Sequence, residues 1–182
     1  TAYQFNNTEH AANLFGLKEF GNIYSRLGNP TVGALEARLT ALEDGAMCVA
    51  LSSGTSAVMY SLINIMSQGD NFVTANQLYG GTYTMFDNIL PEYGINSKKV
   101  DITDFEAVES AIDEKTRAIY CETITNPGLV VADISALADI AHSKGIPLIV
   151  DATFTTSAIL KPFECGADIV VYSLTKWMSG HG

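Results

Sequence analysis

The sequence has 182 residues, which suffice for one domain with a sizeable core. Of these residues 47% are hydrophobic and 16% are charged, a composition that excludes an intrinsically disordered chain. The net charge of −10 argues against a nucleic-acid-binding protein, because such proteins normally present a basic face. No apolar run approaches the roughly 20 residues that span a bilayer, so we expect no membrane partner.

The N-terminal part of the chain predicts an extended arm over residues 1–8 and a short helix within 9–20. A second helix is predicted to begin at Pro30, because Asn29 suits the cap position and proline suits the first turn. Gly45 is expected to end this helix.

From residue 46 onward, short apolar segments alternate with helical patterns. This alternation predicts the α/β class, a three-layer α/β/α domain with a mostly parallel sheet. An irregular connection over 153–167 follows the fifth strand, and connections of that length are often functional. Six strands are predicted, over residues 47–51, 71–75, 95–101, 117–122, 147–151 and 168–173.

Local signals predict where two of the intervening helices begin. Thr103 with Glu106 resembles a capping box before a helix over 104–113. Asp133 or Ser135 is expected to cap a later helix.

Cysteine and histidine are too scattered to predict a disulfide framework or a metal site. The cysteines are expected to be free thiols in a reducing compartment, which favours the cytoplasm. The residues concerned are Cys48, Cys121, Cys165, His10, His142 and His181.

Polar residues follow nearly every predicted strand. Because ligands of open α/β sheets bind at the carboxyl ends of the strands, these side chains are expected to share one edge. In chain order they are Ser53, Gly54, Thr55, Tyr79, Glu122, Asn126, Asp151, Thr153, Ser173, Thr175 and Lys176.

Ser53, Gly54 and Thr55 open a helix, whose free N–H groups and positive dipole end suit a phosphate. Gly54 allows the backbone to approach a ligand closely. An ordinary strand-to-helix turn would have the same pattern. Neither a Walker A lysine nor a G-x-G-x-x-G sequence is present, so a nucleotide-binding α/β domain is the weaker hypothesis.

Three other residues suggest what lies beside that phosphate. Asp151 ends an apolar strand and needs a cationic partner, unless it caps a helix or is solvated. Lys176 is expected to be desolvated into a neutral amine that forms Schiff bases, although a surface lysine is the alternative. Tyr79 could stack on a ring or simply cover the core. Together they fit pyridoxal phosphate, a phosphorylated aromatic aldehyde with a basic ring nitrogen.

The whole chain closely resembles the Cys/Met-metabolism branch of pyridoxal-phosphate enzymes, which have the aspartate-aminotransferase-like fold. The motifs that carry the resemblance are YSRLGNPT (24–31), SSGTSA (52–57), LYGGTY (78–83), ETITNP (122–127), IVDATF (149–154) and SLTKWMSGHG (173–182).

The resemblance implies catalytic roles for Lys176, which forms the Schiff base and shuttles protons, and for Tyr79, which stacks on the ring and assists at the γ-carbon. Asp151 pairs with the pyridinium nitrogen and Asn126 lies near the ring oxygen. Glu122 and Thr153 match neighbouring positions of less defined role. The phosphate is implied to be bound by Gly54, Thr55, Ser173 and Thr175, and Ser53 is a further cofactor-binding residue.

The resemblance also implies an oligomer. Tyr24 and Arg26 would reach the phosphate in the neighbouring subunit, so residues 1–45 form an arm and helix that serve the partner's site. Residues 46–182 form the cofactor-binding domain, and the family typically assembles as a homotetramer of two such dimers. The family's C-terminal domain, with the arginine that holds the substrate carboxylate, is expected to lie outside this chain, which alone should not turn over substrate.

Residues 5–31 resemble O-acetylhomoserine sulfhydrylases most. This resemblance implies γ-replacement on O-acetyl-L-homoserine by a sulfur donor, giving homocysteine or methionine plus acetate. The alternatives are methionine γ-lyase, cystathionine γ-synthase or lyase, and a non-catalytic fragment that kept the fold.

Overall fold

The structure is a computed structural model that describes residues 1–181. The chain separates into two compact units, Thr1–Ala50 and a second that begins at Leu51. Among the described residues, no helix combines the length and the apolar character that a membrane span requires.

The first unit contains helices α1 (Thr8–Phe15) and α2 (Pro30–Glu43). Asn29 caps α2 as predicted, since its side-chain oxygen accepts two first-turn N–H groups at 3.0 and 3.3 Å. The helix ends at Glu43, and its C-cap is Asp44 in the left-handed conformation (φ 52°), one residue before the predicted Gly45. Aspartate tolerates this conformation better than most residues because its short side chain can bond locally.

The predicted first strand, residues 47–51, is wrong, because the structure has no strand there. Met47 and Val49 are 76% and 63% exposed. A strand forms only where a neighbouring strand takes up its backbone hydrogen bonds, and none of the five strands of the sheet pairs with this segment. The apolar sequence therefore misled the prediction.

The second unit is built on a five-stranded sheet in which every neighbouring pair is parallel. The predicted α/β class with a parallel sheet is confirmed. The strand order is β2-β1-β3-β4-β5. All five residues of β1 are buried, and since successive side chains point to opposite faces, both faces are covered. The strands are β1 (Asn71–Ala75), β2 (Asn96–Val100), β3 (Thr116–Glu122), β4 (Leu148–Asp151) and β5 (Ile169–Val171).

Helices connect the strands, as the alternating pattern predicts. One of them changes form along its length, from α to a π segment at Met85–Ile89 and a 3₁₀ turn at Leu90–Tyr93. The connection over 153–167 is only partly irregular, since it contains a short helix and a 3₁₀ turn at Pro162–Cys165. The helices are α3 (Gly54–Ile63), α4 (Gly80–Thr84), α5 (Phe105–Ala111), α6 (Ile134–Ser143) and α7 (Thr156–Ile159).

The helix caps correct one prediction and resolve another. Asp104 caps α5, because its carboxylate accepts the N–H of Ala107 at 3.0 Å. The predicted cap, Thr103, instead donates its hydroxyl to Asp101 at 2.7 Å. Asp133, one of two candidates, caps α6. An aspartate is the cap residue of both helices, because the charge of its carboxylate also suits the positive end of the helix dipole.

Three aromatic rings form the centre of the core beside β1 and β3. The ring of Phe86 meets those of Phe72 and Tyr120 edge-on, at centroid distances of 4.7 and 5.1 Å. All three side chains are buried. Tyr120 thereby carries a hydroxyl through the core toward the carboxyl edge of the sheet. Cys121 next to it is a buried free thiol, while Cys48 and Cys165 are free and half-buried.

Candidate active site

A cavity of about 370 Å³ lies within the second unit, where the strands of the sheet end. The structure brings ten of the predicted site residues together around it. The other two, Tyr24 and Arg26, belong to the first unit. The ten are Ser53, Gly54, Thr55, Tyr79, Asn126, Asp151, Thr153, Ser173, Thr175 and Lys176.

Six further residues line the cavity. Val58 lies four positions after Gly54 on α3, so the helical period could have indicated it. Trp177 is the neighbour of Lys176. Glu122 was recognised at a strand exit without a defined role. The remaining three, Thr82, Ile124 and Phe154, lie within the motifs LYGGTY, ETITNP and IVDATF, but the sequence gives them no individual role and their place depends on how the loops fold.

The start of α3 forms one end of the cavity. Ser53 caps the helix by accepting the N–H of Ser56 at 3.0 Å, which leaves the N–H groups of Gly54 and Thr55 without a partner in the helix. A side chain at position 54 would meet the Cβ of Ser173 at 2.6 Å. Glycine therefore lets the β5 exit lie directly against the helix start, an arrangement suited to a phosphate.

Asp151 ends β4 and points its carboxylate into the cavity wall. One oxygen accepts the N–H of Thr153 at 2.9 Å, and the other lies 3.4 Å from the hydroxyl of Tyr120, which donates to it. Thr153 in turn accepts the N–H of Ser173 at 2.8 Å, which ties the exits of β4 and β5 together. Burial raises the pKa of Asp151, so its charged form would gain from a cationic partner.

Tyr79 stands at the start of α4 with its side chain half exposed. Its ring lies over Gly81, where a Cβ would be only 2.7 Å from the ring. Its backbone N–H donates to the Glu122 carboxylate at 2.7 Å. The backbone of Tyr79 is therefore held in place by Glu122, while its ring has one open face at the cavity.

Lys176 departs from the sequence-based expectation. It lies in the chain between β5 and the 3₁₀ turn Trp177–Ser179, and it is exposed rather than desolvated. The backbone N–H of Lys176 donates to the carbonyl of Ser173 at 3.1 Å, which fixes the backbone near the end of the cavity where α3 begins. The turn carries the lysine away from the buried strand, to the edge of the cavity.

Tyr24 and Arg26 lie together in the first unit. The guanidinium of Arg26 lies 5.8 Å from the centroid of the Tyr24 ring, and both side chains are exposed. Tyr24 pairs with Ala2 through an isolated antiparallel bridge. A cation and a phenol are thus presented side by side.

The residues around the cavity fit pyridoxal phosphate. The helix start and the serine and threonine hydroxyls suit the phosphate, Asp151 suits a ring cation, and Lys176 supplies a primary amine. The fold and the site define an α/β protein that holds a phosphorylated aromatic cofactor at the carboxyl edge of its sheet. The family model for the Cys/Met metabolism PLP-dependent enzymes matches residues 1–182, and the chain belongs to this family.

Individual relatives agree with this assignment. The chain is 48% identical over 182 residues to the O-acetyl-L-homoserine sulfhydrylase of Leptospira meyeri, and it covers 41% of that protein. A Campylobacter jejuni structure described as an O-acetylhomoserine (thiol)-lyase, with N'-pyridoxyl-lysine-5'-monophosphate, superposes with a TM-score of 0.94 at 44% identity. The cystathionine gamma-lyase of Lactobacillus plantarum, complexed with L-serine, gives 0.88 at 36%.

The alignments cover nearly the whole of this chain but less than half of each relative. The structural matches include 100% and 99% of this chain, yet 45% of each solved chain. The chain therefore spans about two-fifths of the length of the relatives it matches.

Proposed function

We propose that the complete protein catalyses γ-replacement on O-acetyl-L-homoserine, in which a sulfur nucleophile takes the place of acetate. With sulfide the products are homocysteine and acetate. The observation that supports this most directly is the convergence of Lys176, Asp151 and Tyr79 with the start of α3 around one cavity. The name of the Leptospira relative supports the substrate.

Pyridoxal phosphate, when bound, supplies an electron-withdrawing ring that stabilises negative charge on the substrate carbons. The N–H groups of Gly54 and Thr55 would hold its phosphate, together with the hydroxyls of Ser173 and Thr175. Asp151 would face the ring nitrogen, where a cation offsets the cost of burying the carboxylate.

Lys176 and Tyr79 would move the protons. The Nζ of Lys176 would carry the cofactor and, when released from it, accept the proton of the substrate α-carbon. The exposed position of the lysine gives it room to turn toward the substrate. The Tyr79 ring would stack on the cofactor, and its hydroxyl would serve the γ-carbon from which acetate departs. Asn126 would form a hydrogen bond with the ring oxygen of the cofactor.

Tyr24 and Arg26 would complete the site of a neighbouring subunit. The exposed guanidinium suits a phosphate, and the pair belongs to a unit separate from the cavity. On this proposal residues 1–45 serve the partner's site and residues 46–182 bind the cofactor. The assembly would be a cytoplasmic homotetramer of two such dimers.

A γ-lyase is the second candidate, because the Lactobacillus cystathionine gamma-lyase also superposes along the chain. A lyase would use the same cofactor and the same first proton transfer. The two reactions differ in whether a sulfur nucleophile adds or the carbon chain is released as a keto acid.

The experiment uses the complete polypeptide that contains this chain, purified with pyridoxal phosphate. We expect an absorbance band near about 420 nm, borohydride fixation of the cofactor on Lys176, and acetate release from O-acetyl-L-homoserine that depends on sulfide. Lys176→Ala should abolish all three, whereas Lys144→Ala, at an exposed ion pair with Glu109, should not. A keto acid formed from methionine or cystathionine without added sulfide would instead support the lyase, and labelling of another lysine would contradict the site.

A further inference from the structure

Glu122, the last residue of β3, joins two loops of the cavity through one buried carboxylate. Its side chain is only 5% exposed. One oxygen accepts the backbone N–H of Tyr79 at 2.7 Å, and the other accepts the backbone N–H of Asn126 at 3.1 Å. Tyr79 is 43 residues away in sequence, on the loop that follows the neighbouring strand β1.

These two hydrogen bonds join loops that are otherwise anchored separately, one to β2 through the N–H of Asn76 and the other to β4 through the N–H of Thr123. Among the hydrogen bonds of the described residues, the N–H of Tyr79, just before α4, is satisfied by Glu122 alone. Gly128, two residues after Asn126, lies so close to Gln77 that any side chain there would clash with the glutamine. The two loops therefore touch each other and share one carboxylate.

The carboxylate is unfavourable for folding in its charged form. Burial raises the pKa of Glu122 to about 7, the two N–H groups oppose this, and the nearby Asp151 carboxylate adds to it. A glutamine would avoid that cost, but only a carboxylate offers an acceptor oxygen to each of the two N–H groups. A carboxyl group whose pKa is strongly shifted beside a cavity is typical of a functional site.

We infer that Glu122 is a positioning residue, which fixes Tyr79 and Asn126 against the cofactor by accepting one backbone hydrogen bond from each. The inference rests on the proposed function, in which both residues contact the ring. Each oxygen accepts one backbone N–H, so the carboxylate spans the two loops.

The test is Glu122→Gln in the complete polypeptide, beside Glu114→Gln as a matched control. Glu114 is exposed and lies just before the opposite end of the same strand. The amide of glutamine has a single acceptor oxygen, and its NH₂ group would face the second N–H, so one of the two bonds must be lost.

We expect three results for Glu122→Gln. The backbone amide of Tyr79 or Asn126 should exchange its hydrogen about tenfold faster in the cofactor-free protein. The dissociation constant of pyridoxal phosphate should rise about tenfold. The melting temperature of the cofactor-free protein should change little, because the removal of a buried charge offsets the loss of one buried hydrogen bond. Glu114→Gln should change none of them.

A lower melting temperature with unchanged cofactor affinity would make Glu122 merely structural and overturn the inference, as would unchanged exchange at both amides. Glu122→Asp gives a second comparison, because the shorter carboxylate keeps the charge but cannot span both N–H groups, and cofactor affinity should fall here too. Failure of the proposed function would appear separately, as a wild-type protein that binds no pyridoxal phosphate, while the exchange measurement would still report on the two loops.

Discussion

Two carboxylates beside the cavity are costly to bury in their charged form. Glu122 and Asp151 end the neighbouring strands β3 and β4 and are register partners in the sheet. Burial raises the pKa of both, and the hydroxyl of Tyr120 and backbone N–H groups offset only part of this effect. A cation placed between such groups favours their charged forms. The pair is therefore suited to a cationic ligand.

This burial predicts how stability depends on pH. A carboxyl group with a raised pKa binds its proton more tightly in the folded protein, so the free energy of unfolding falls as the pH rises through the interval between the two pKa values. For Glu122 that interval runs from 4.5 to about 7. We expect a loss of about 3 kcal/mol in the cofactor-free protein.

Urea unfolding at several pH values from about 5 to about 8 measures this loss. Glu122→Gln should flatten the decline, and saturating pyridoxal phosphate should reduce it. Asp70, Asp101 and Asp113 have lowered pKa values, so their loss of stability occurs at a lower pH, where they become protonated. A free energy that stays level or rises over the interval would contradict the prediction.

At the scale of elements, the start of α3 depends on one close contact. The helix begins at Gly54, and the β5 exit at Ser173 packs directly on it. Ser53 caps the helix from outside. The contact brings the free N–H groups of the helix next to the hydroxyls that follow β5, so the proposed phosphate end of the site exists only while both elements touch.

Gly54→Ala should therefore be destabilising. The new Cβ would lie 2.6 Å from the Cβ of Ser173, which forces the β5 exit away and should cost about 1–3 kcal/mol. Gly80→Ala is the matched control, because Gly80 opens α4 and has nothing within 4 Å of the added Cβ. The control should be neutral or stabilise by up to about 1 kcal/mol. Thermal unfolding measures both, and equal effects would contradict the packing argument.

At the scale of the whole molecule, the two units divide the proposed site between subunits. The cavity belongs entirely to the second unit, whereas Tyr24 and Arg26 belong to the first. If these two residues act on the neighbouring subunit's cofactor, each site needs two chains.

Co-expression of two inactive variants tests this division. In a dimer of Arg26→Ala with Lys176→Ala, one of the two sites has both residues intact. Random pairing should restore about a quarter of wild-type activity. Lys176→Ala with Asp151→Ala is the control, since both residues line the same cavity and no intact site can form. Activity no higher than in the control would contradict the contribution from the neighbouring subunit.

The strand at 47–51 and the position of Lys176 show where local patterns stop being informative. The apolar sequence of 47–51 predicts a strand, but strand formation depends on a neighbour that the segment itself does not encode. Desolvation of Lys176 was expected from the buried strand before it, yet the turn that follows leaves the lysine exposed. The first error concerns pairing between distant segments, and the second concerns a turn that directly follows the lysine.

The sequence by itself determined the order of strands and helices, the Asn29 cap and the set of polar residues at the strand exits, because side-chain period and capping chemistry are local. Only the tertiary structure decided that Glu122 joins the loops of Tyr79 and Asn126 and that Gly54 lies against Ser173. Most of these contacts join residues far apart in sequence. They follow from the order β2-β1-β3-β4-β5, which sets the loops side by side and which no short stretch of sequence specifies.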